Sequence, residues 1–152
     1  ILDPKNPTEV IGVLDWEMTT LGDPLMDLGS ALAYWVEETD HHIFKSTRRQ
    51  PTNLKGMFTR KEVVKYYLDK TGLHTDNWTF YEVFGIFRLA VIAQQIYYRY
   101  YHKQTNNPAF KDFWIVIHAL HIRALKLIGK QKFEANEIAQ KYISKLQEIL
   151  AK

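Results

Sequence analysis

Four carboxylates crowd the start of the chain, and their spacing is what first points to chemistry. In the stretch VIGVLDWEMTTLGDPLMDL, residues 10–28, an apolar run ends directly on Asp15. Glu17 follows two residues later, and Asp23 and Asp27 lie beyond a turn. A carboxylate at the C-terminal end of a buried strand usually faces a site. The plainer alternative is architectural, with Asp15 ending a strand and Asp23 capping a helix. Spacing alone leaves both readings open.

The elements that must hold these acids can be read in order. Residues 4–9, PKNPTE, suit a connection between two antiparallel strands, 1–3 and 10–15. A two-stranded ribbon is marginal alone and needs helices or a larger sheet beneath it. Asp23 is a good N-cap and Pro24 a good first helical residue. The helix they open is predicted to reach about Val36, burying Leu25, Leu28, Leu32 and Trp35.

Residues 37–59 show no sustained period, and a structureless loop of that length suggests cover over a functional site or mobility. Thr59-Arg60-Lys61-Glu62 has the spacing of a capping box, and Gly72 suits the end of the helix it starts. The longest helical pattern spans about 77–104 and is so apolar in its first half that it is expected to run through the core. Asn107-Pro108 introduces another helix, 109–128, ended by Gly129. A final amphipathic helix is predicted over 134–150, presenting Ile138, Tyr142, Leu146 and Ile149.

Composition narrows the class. With 152 residues, 46% of them hydrophobic, the chain is expected to form a single domain, 1–152, with a real core. Its 20 Lys and Arg are interleaved with 17 Asp and Glu, so the net charge of +3 forms no block of the kind that grips nucleic acid. Cysteine is absent, which excludes disulfides and thiolate metal sites. The most apolar window, 83–93, contains Arg88 and falls short of the ~20 residues a membrane span needs. A soluble, cytoplasmic protein without a nucleic-acid or membrane partner is expected. Because the first residue is Ile1, in what looks like a strand already under way, the chain is expected to be a piece of something longer.

Leu14-Asp15-Trp16-Glu17, followed by Gly22-Asp23-Pro24-Leu25-Met26-Asp27-Leu28, resembles the aminoglycoside phosphotransferase and choline kinase type of small-molecule kinase. With Trp78-x-Phe80-Tyr81 and Phe87-Arg88-x-Ala90, the wording is most similar to the phosphotransferase subgroup associated with acyl-CoA dehydrogenases. The resemblance covers the first ninety-odd residues well and the last helices loosely. It implies a mainly α fold, the helical C-lobe of the protein-kinase-like fold with a short N-terminal β-hairpin. It implies an ATP-dependent phosphotransferase acting on a hydroxyl of a small molecule, aminoglycoside-like or hydroxyacyl-CoA-like, with Mg2+ and ATP as cofactors.

Phosphoryl transfer is catalysed by positioning and charge stabilisation, with hard oxygen ligands holding magnesium against the phosphates. By resemblance, Asp15 is the metal ligand of the kinase Asp-Phe-Gly position, with Trp16 keeping the aromatic role and Glu17 standing where protein kinases have glycine. Glu17 is either a further metal-side carboxylate or a solvated residue. Asp23 is expected to be a cap, and Asp27 to support the catalytic loop's backbone. Trp78, Tyr81 and Arg88 are candidates for a substrate cleft. Arg88 can alternatively pair internally with Glu82, the reading the sequence favours.

The family's catalytic base, the Asp of a His-Gly-Asp segment with an Asn five residues on, does not occur in the sequence. His74-Thr75-Asp76 is a superficial substitute, with Tyr81 where the Asn belongs. The lysine of the N-terminal lobe and the phosphate-covering loop are also missing. The chain is therefore expected to be a C-terminal lobe, inactive alone and prone to self-association through surface left uncovered. Rival readings are a pseudokinase and a non-catalytic helical module that binds a ligand or protein. His41 with His42, and His118 with His121, are weak candidates for metal binding. Arg48, Arg49, Lys55, Arg60 and Lys61 form a local basic cluster, read either as a contact for the phosphates of a nucleotide-bearing substrate or, more often for such clusters, as a solvated surface.

Overall fold

The computed structural model describes residues 1–16, 19 and 21–129, and it is mainly helical. The helices are α1 (Pro24–Ala33), α2 (His42–Thr47), α3 (Arg60–Thr71), α4 (Trp78–Tyr101) and α5 (Phe113–Leu127). The helix predicted over 134–150 lies outside the described residues.

Local chemistry sets most of these boundaries. Asp23 accepts a hydrogen bond from the backbone N–H of Leu25 at 2.8 Å, and Pro24 supplies the pre-set first turn of α1. The capping box of α3 is complete. Thr59 Oγ1 accepts from the Glu62 N–H at 3.2 Å while the Glu62 carboxylate accepts from the Thr59 N–H at 2.7 Å. That exchange holds the Glu62 carboxyl below its ordinary value, the backbone hydrogen bond of Thr59 being the main cause. Gly72, at φ 71°, closes α3 in the left-handed conformation.

α4 is the spine. α1 packs along one side of it and α5 along another. Tyr81 stands opposite Asp23 and Gly85 opposite Gly29, so α1 and α4 run in the same direction. Gly29 and Gly85 make the crossing possible. An ideal Cβ on Gly85 would overlap the carbonyl of Gly29, and one on Gly29 would overlap the carbonyl of Tyr81. Ala33, Ile86 and Leu120 form the core between α1, α4 and α5, with Phe44, Leu89 and Ala90 against it. A satellite cluster, Ile43 with Ile115, seats α2 on α5.

Four expectations are corrected by the structure. The N-terminal hairpin is reduced to a single antiparallel bridge, Leu2 to Val10, because no further strand lies beside it among the described residues. α4 brings Ile86 into the core but is not buried all round. Phe80 and Phe87 are 51% and 62% exposed, since α1 and α5 cover only two of its sides. The helix predicted from 109 begins later. Pro108–Phe110 form a separate 3₁₀ turn, and α5 starts at Phe113. The loop 37–59 contains α2, whose six residues are too few to show a period.

The rest of that loop is stapled down rather than free. Thr52, 5% exposed, donates through Oγ1 to the Val36 carbonyl at 2.9 Å and accepts from the Val36 N–H at 3.0 Å. The Trp35 indole N–H donates to the Phe58 carbonyl at 2.9 Å. Arg60 donates to both Asp40 oxygens, at 2.6 and 2.9 Å, to Glu37 at 3.1 Å and to the Trp35 carbonyl at 2.8 Å. Arg60 therefore does not belong to a solvated basic cluster. It is the centre of a largely buried ion-pair network that ties the start of α3 to the end of the α1 segment.

Candidate functional site

The site grows out of the turn between the bridged N-terminal segment and α1. Asp15 is exposed and adopts φ 70°, one of two non-glycine residues with positive φ among those described. Left-handed backbone is strained for most side chains, though aspartate tolerates it better than most, and such conformations cluster at functional positions. No described residue donates a hydrogen bond to the Asp15 carboxylate. Trp16 beside it donates through Nε1 to the Val13 carbonyl at 2.7 Å, which folds the indole back over the segment that delivers Asp15. Glu17 lies outside the described residues.

Asp23 is used twice. One oxygen caps α1, and the other accepts a hydrogen bond from the Tyr81 hydroxyl at 2.7 Å. The contact pushes the Tyr81 hydroxyl above its ordinary pKa, because the neighbouring carboxylate favours the protonated phenol. Trp78 stacks on Tyr81 with ring centroids 5.8 Å apart, and Phe80 meets Tyr81 edge-on at 5.2 Å. The aromatic group at the start of α4 thus steadies the carboxylate that opens α1. Asp23→Ala removes both bonds and is expected to cost about 2 kcal/mol, read as a lower urea midpoint. Tyr81→Phe, which leaves the cap intact, should cost less.

Asp27 sits in the first turn of α1 and is exposed. It lines a groove between α1 and α4, about 200 Å³ in volume, together with Ser30, Ala31, Tyr34, Gly85, Arg88, Leu89 and Ile92. Arg88 reaches across this groove to Ser30 Oγ at 3.5 Å. The internal pairing favoured for Arg88 goes elsewhere. Glu82 pairs with Arg123 of α5 at 3.5 Å, and that guanidinium also lies 5.7 Å from the centre of the Phe44 ring. Burial, then the nearby Arg60 charge, lowers the Arg123 pKa. Ser30 and Tyr34, the groove's partners for Arg88, were not singled out from sequence. Their signal was present, since Ser30 lies three residues on from Asp27 and Tyr34 four residues on from Ser30.

The histidines do not assemble a metal site. The His41 and His42 rings lie 4.1 Å apart, and His41 Nδ1 accepts from the Ile43 N–H, capping α2. Among the described residues no three His, Cys, Asp or Glu side chains group as metal ligands. A single exposed carboxylate nonetheless fits magnesium, which keeps waters and substrate phosphates and takes one or two carboxylates from a protein. Asp15 fits that description.

Residues 1–62 match the phosphotransferase enzyme family, APH. The resemblance drawn from 14–28 holds at this level, since the matched stretch is similar to a phosphotransferase family. It contains Asp15, Asp23, Asp27 and the groove residues of α1. The mouse acyl-CoA dehydrogenase family member 10 is 41% identical over 93 residues, 60% of this chain and 9% of that protein. The rat acyl-CoA dehydrogenase family member 11 is 35% identical over 103 residues, covering 66% of the chain and 13% of that protein. Its chicken counterpart is 28% identical over 142 residues, 86% of the chain and 17% of that protein. The chain thus spans less than a fifth of the length of these relatives. No solved structure matches. No helix among the described residues is long and apolar enough to cross a membrane.

Proposed function

We propose that this chain supplies the metal-holding half of an ATP-dependent phosphotransferase that phosphorylates a hydroxyl of a small molecule. The observation that carries the reading is Asp15, a carboxylate without a hydrogen-bond partner among the described residues, on left-handed backbone inside the stretch that matches the phosphotransferase family. Asp15 and Glu17 would hold Mg2+, and Asp15 orients the metal-bound nucleotide. When bound, magnesium neutralises charge developing on the transferred phosphoryl group. The residues of the chain do the positioning. The Trp16 indole bonded to Val13 fixes the approach to Asp15, and the Asp23–Tyr81 bond anchors the start of α1. Asp27 supports the backbone that faces it. Trp78, Tyr81 and Arg88 border the acceptor.

The acceptor is aminoglycoside-like or hydroxyacyl-CoA-like, and the relatives' naming as acyl-CoA dehydrogenase family members favours the second. The proton acceptor and the ATP-covering elements come from sequence other than these 152 residues, so the chain alone turns over no ATP. In a longer polypeptide carrying its upstream coding sequence, MgATP should raise the melting temperature by several degrees, and Asp15→Asn should abolish that shift. An equal shift in the variant would contradict the assignment.

A second reading draws on a different observation. Phe80, Phe87, Val91 and Tyr98 recur at spacings of seven, four and seven residues along α4 and are 39–62% exposed. A helical module or pseudokinase would use that row to bind a partner, and the isolated chain would use it to self-associate. MgATP-dependent product formation by the longer polypeptide decides against this reading.

A further inference from the structure

We propose that the groove between α1 and α4 is a binding site for an anionic head group, carboxylate or phosphate, on a small ligand with an apolar body, and that Arg88 holds the anion. Taking that ligand as the phosphoryl acceptor rests on the function proposed above, whereas the anion site itself does not.

The charge pattern carries the inference. Arg88 is exposed and offers five N–H donors in a planar fork suited to bidentate recognition of carboxylate or phosphate. It spends one of them on Ser30 Oγ, at the outer limit of hydrogen bonding, 3.5 Å. The Ser30 hydroxyl already donates to the Met26 carbonyl at 2.8 Å, so this oxygen can only accept from Arg88. Glu82, the acid on the same helix, is engaged by Arg123. Asp27 borders the groove without forming an ion pair with Arg88. A guanidinium at the mouth of a cavity, without a carboxylate partner among the described residues, is set for an external anion.

The rest of the lining divides by polarity. Ala31, Leu89 and Ile92 give an apolar wall, and Tyr34 adds a hydroxyl. Gly85 lines the groove with backbone alone, since the Gly29 carbonyl takes the place a side chain would need. At about 200 Å³ the groove is smaller than the ~300 Å³ lower end for drug-sized ligands. It takes a compact ligand or one end of a larger one. Asp27 disfavours an anion at its own end of the groove and thereby fixes the orientation.

The test is an NMR titration of the 15N-labelled 152-residue chain with butanoate, butyl phosphate, inorganic phosphate and butylammonium, without nucleotide. Butanoate, butyl phosphate or both should shift amides within 27–34 and 85–92, whichever binds naming the head group, and butylammonium should not. Inorganic phosphate should bind several-fold more weakly than butyl phosphate, because it lacks the apolar body. Arg88→Gln should weaken binding at least tenfold with its own spectrum otherwise unchanged, which shows that it is folded. Arg88→Lys should retain part of the affinity, and Arg49→Gln all of it. Unweakened binding by Arg88→Gln, equal binding of butylammonium, or anion-induced shifts confined to other residues would overturn the proposal. Because no nucleotide is present, the result is independent of any MgATP response at Asp15, and either can fail without the other.

Discussion

Gly85→Ala should be among the most damaging single-methyl additions in this chain, with an expected loss of about 2–3 kcal/mol. In an isolated helix the change would gain about 1 kcal/mol, since alanine is the better helix former. Here the added methyl would overlap the Gly29 carbonyl, a backbone atom that no rotamer change can move aside. α1 must then lift from α4, reopening the core around Ala33 and Ile86, and overpacking of this kind typically costs ~1–3 kcal/mol before larger displacements. The displacement also breaks the Tyr81–Asp23 bond, so the start of α1 should lose hydrogen-exchange protection with the global stability. Urea unfolding of Gly85→Ala and Gly29→Ala checks this. Parental stability in both would show that the helices do not cross there.

Arg60→Ala should cost about 3 kcal/mol or more, because it strands Glu37 and Asp40 in a largely buried setting without their cation. The side chains of Arg60, Glu37 and Asp40 are 17%, 18% and 13% exposed. Arg60→Ala combined with Asp40→Ala should be less destabilising than the sum of the two, the coupling expected of one network.

The same network sets a pH dependence. Burial alone would raise the Asp40 carboxyl, but hydrogen bonds from Arg60 and the Glu37 N–H, with the Arg60 charge, outweigh it and hold the carboxyl below its ordinary value. A depressed carboxylate contributes stability that is fully present above the unfolded pKa of about 4 and is lost as pH falls through the lower folded value. Stability should therefore fall below about pH 4, and fall less steeply in Arg60→Ala. A parental midpoint for Arg60→Ala at pH 7 would contradict the network.

These two positions also show what sequence reading can and cannot reach. Asp23-Pro24 and Thr59 to Glu62 were legible because their chemistry is local. A side chain caps an amide two or three residues away, and the motif contains both partners. Gly85 was not legible, since a lone glycine in an apolar helix carries no mark of what will lie against it. Arg60 was misread as surface for the same reason. Its sequence neighbourhood holds Arg48, Lys55 and Lys61, whereas the acids it binds lie twenty and more residues upstream. The N-terminal hairpin was legible only as a pairing, since Leu2 meets Val10 in an antiparallel bridge without regular strands among the described residues. In the candidate site, the Asp23 cap was legible from Asp23-Pro24, whereas spacing alone left Asp15 open between architecture and chemistry. The groove was only partly legible, because Arg88, Ser30 and Tyr34 meet through the Gly29–Gly85 crossing.

The central claim is that Asp15 holds the metal for phosphoryl transfer. The most direct measurement is steady-state MgATP-dependent phosphorylation of a small-molecule hydroxyl by the longer polypeptide, comparing the parent with Asp15→Asn. Metal-ion charge stabilisation is worth several kcal/mol at a transition state, and each ~1.36 kcal/mol is tenfold in rate. kcat in Asp15→Asn should therefore fall by about a hundredfold or more, with an unchanged urea midpoint. An Asp15→Asn variant that phosphorylates at the parental rate would contradict the account.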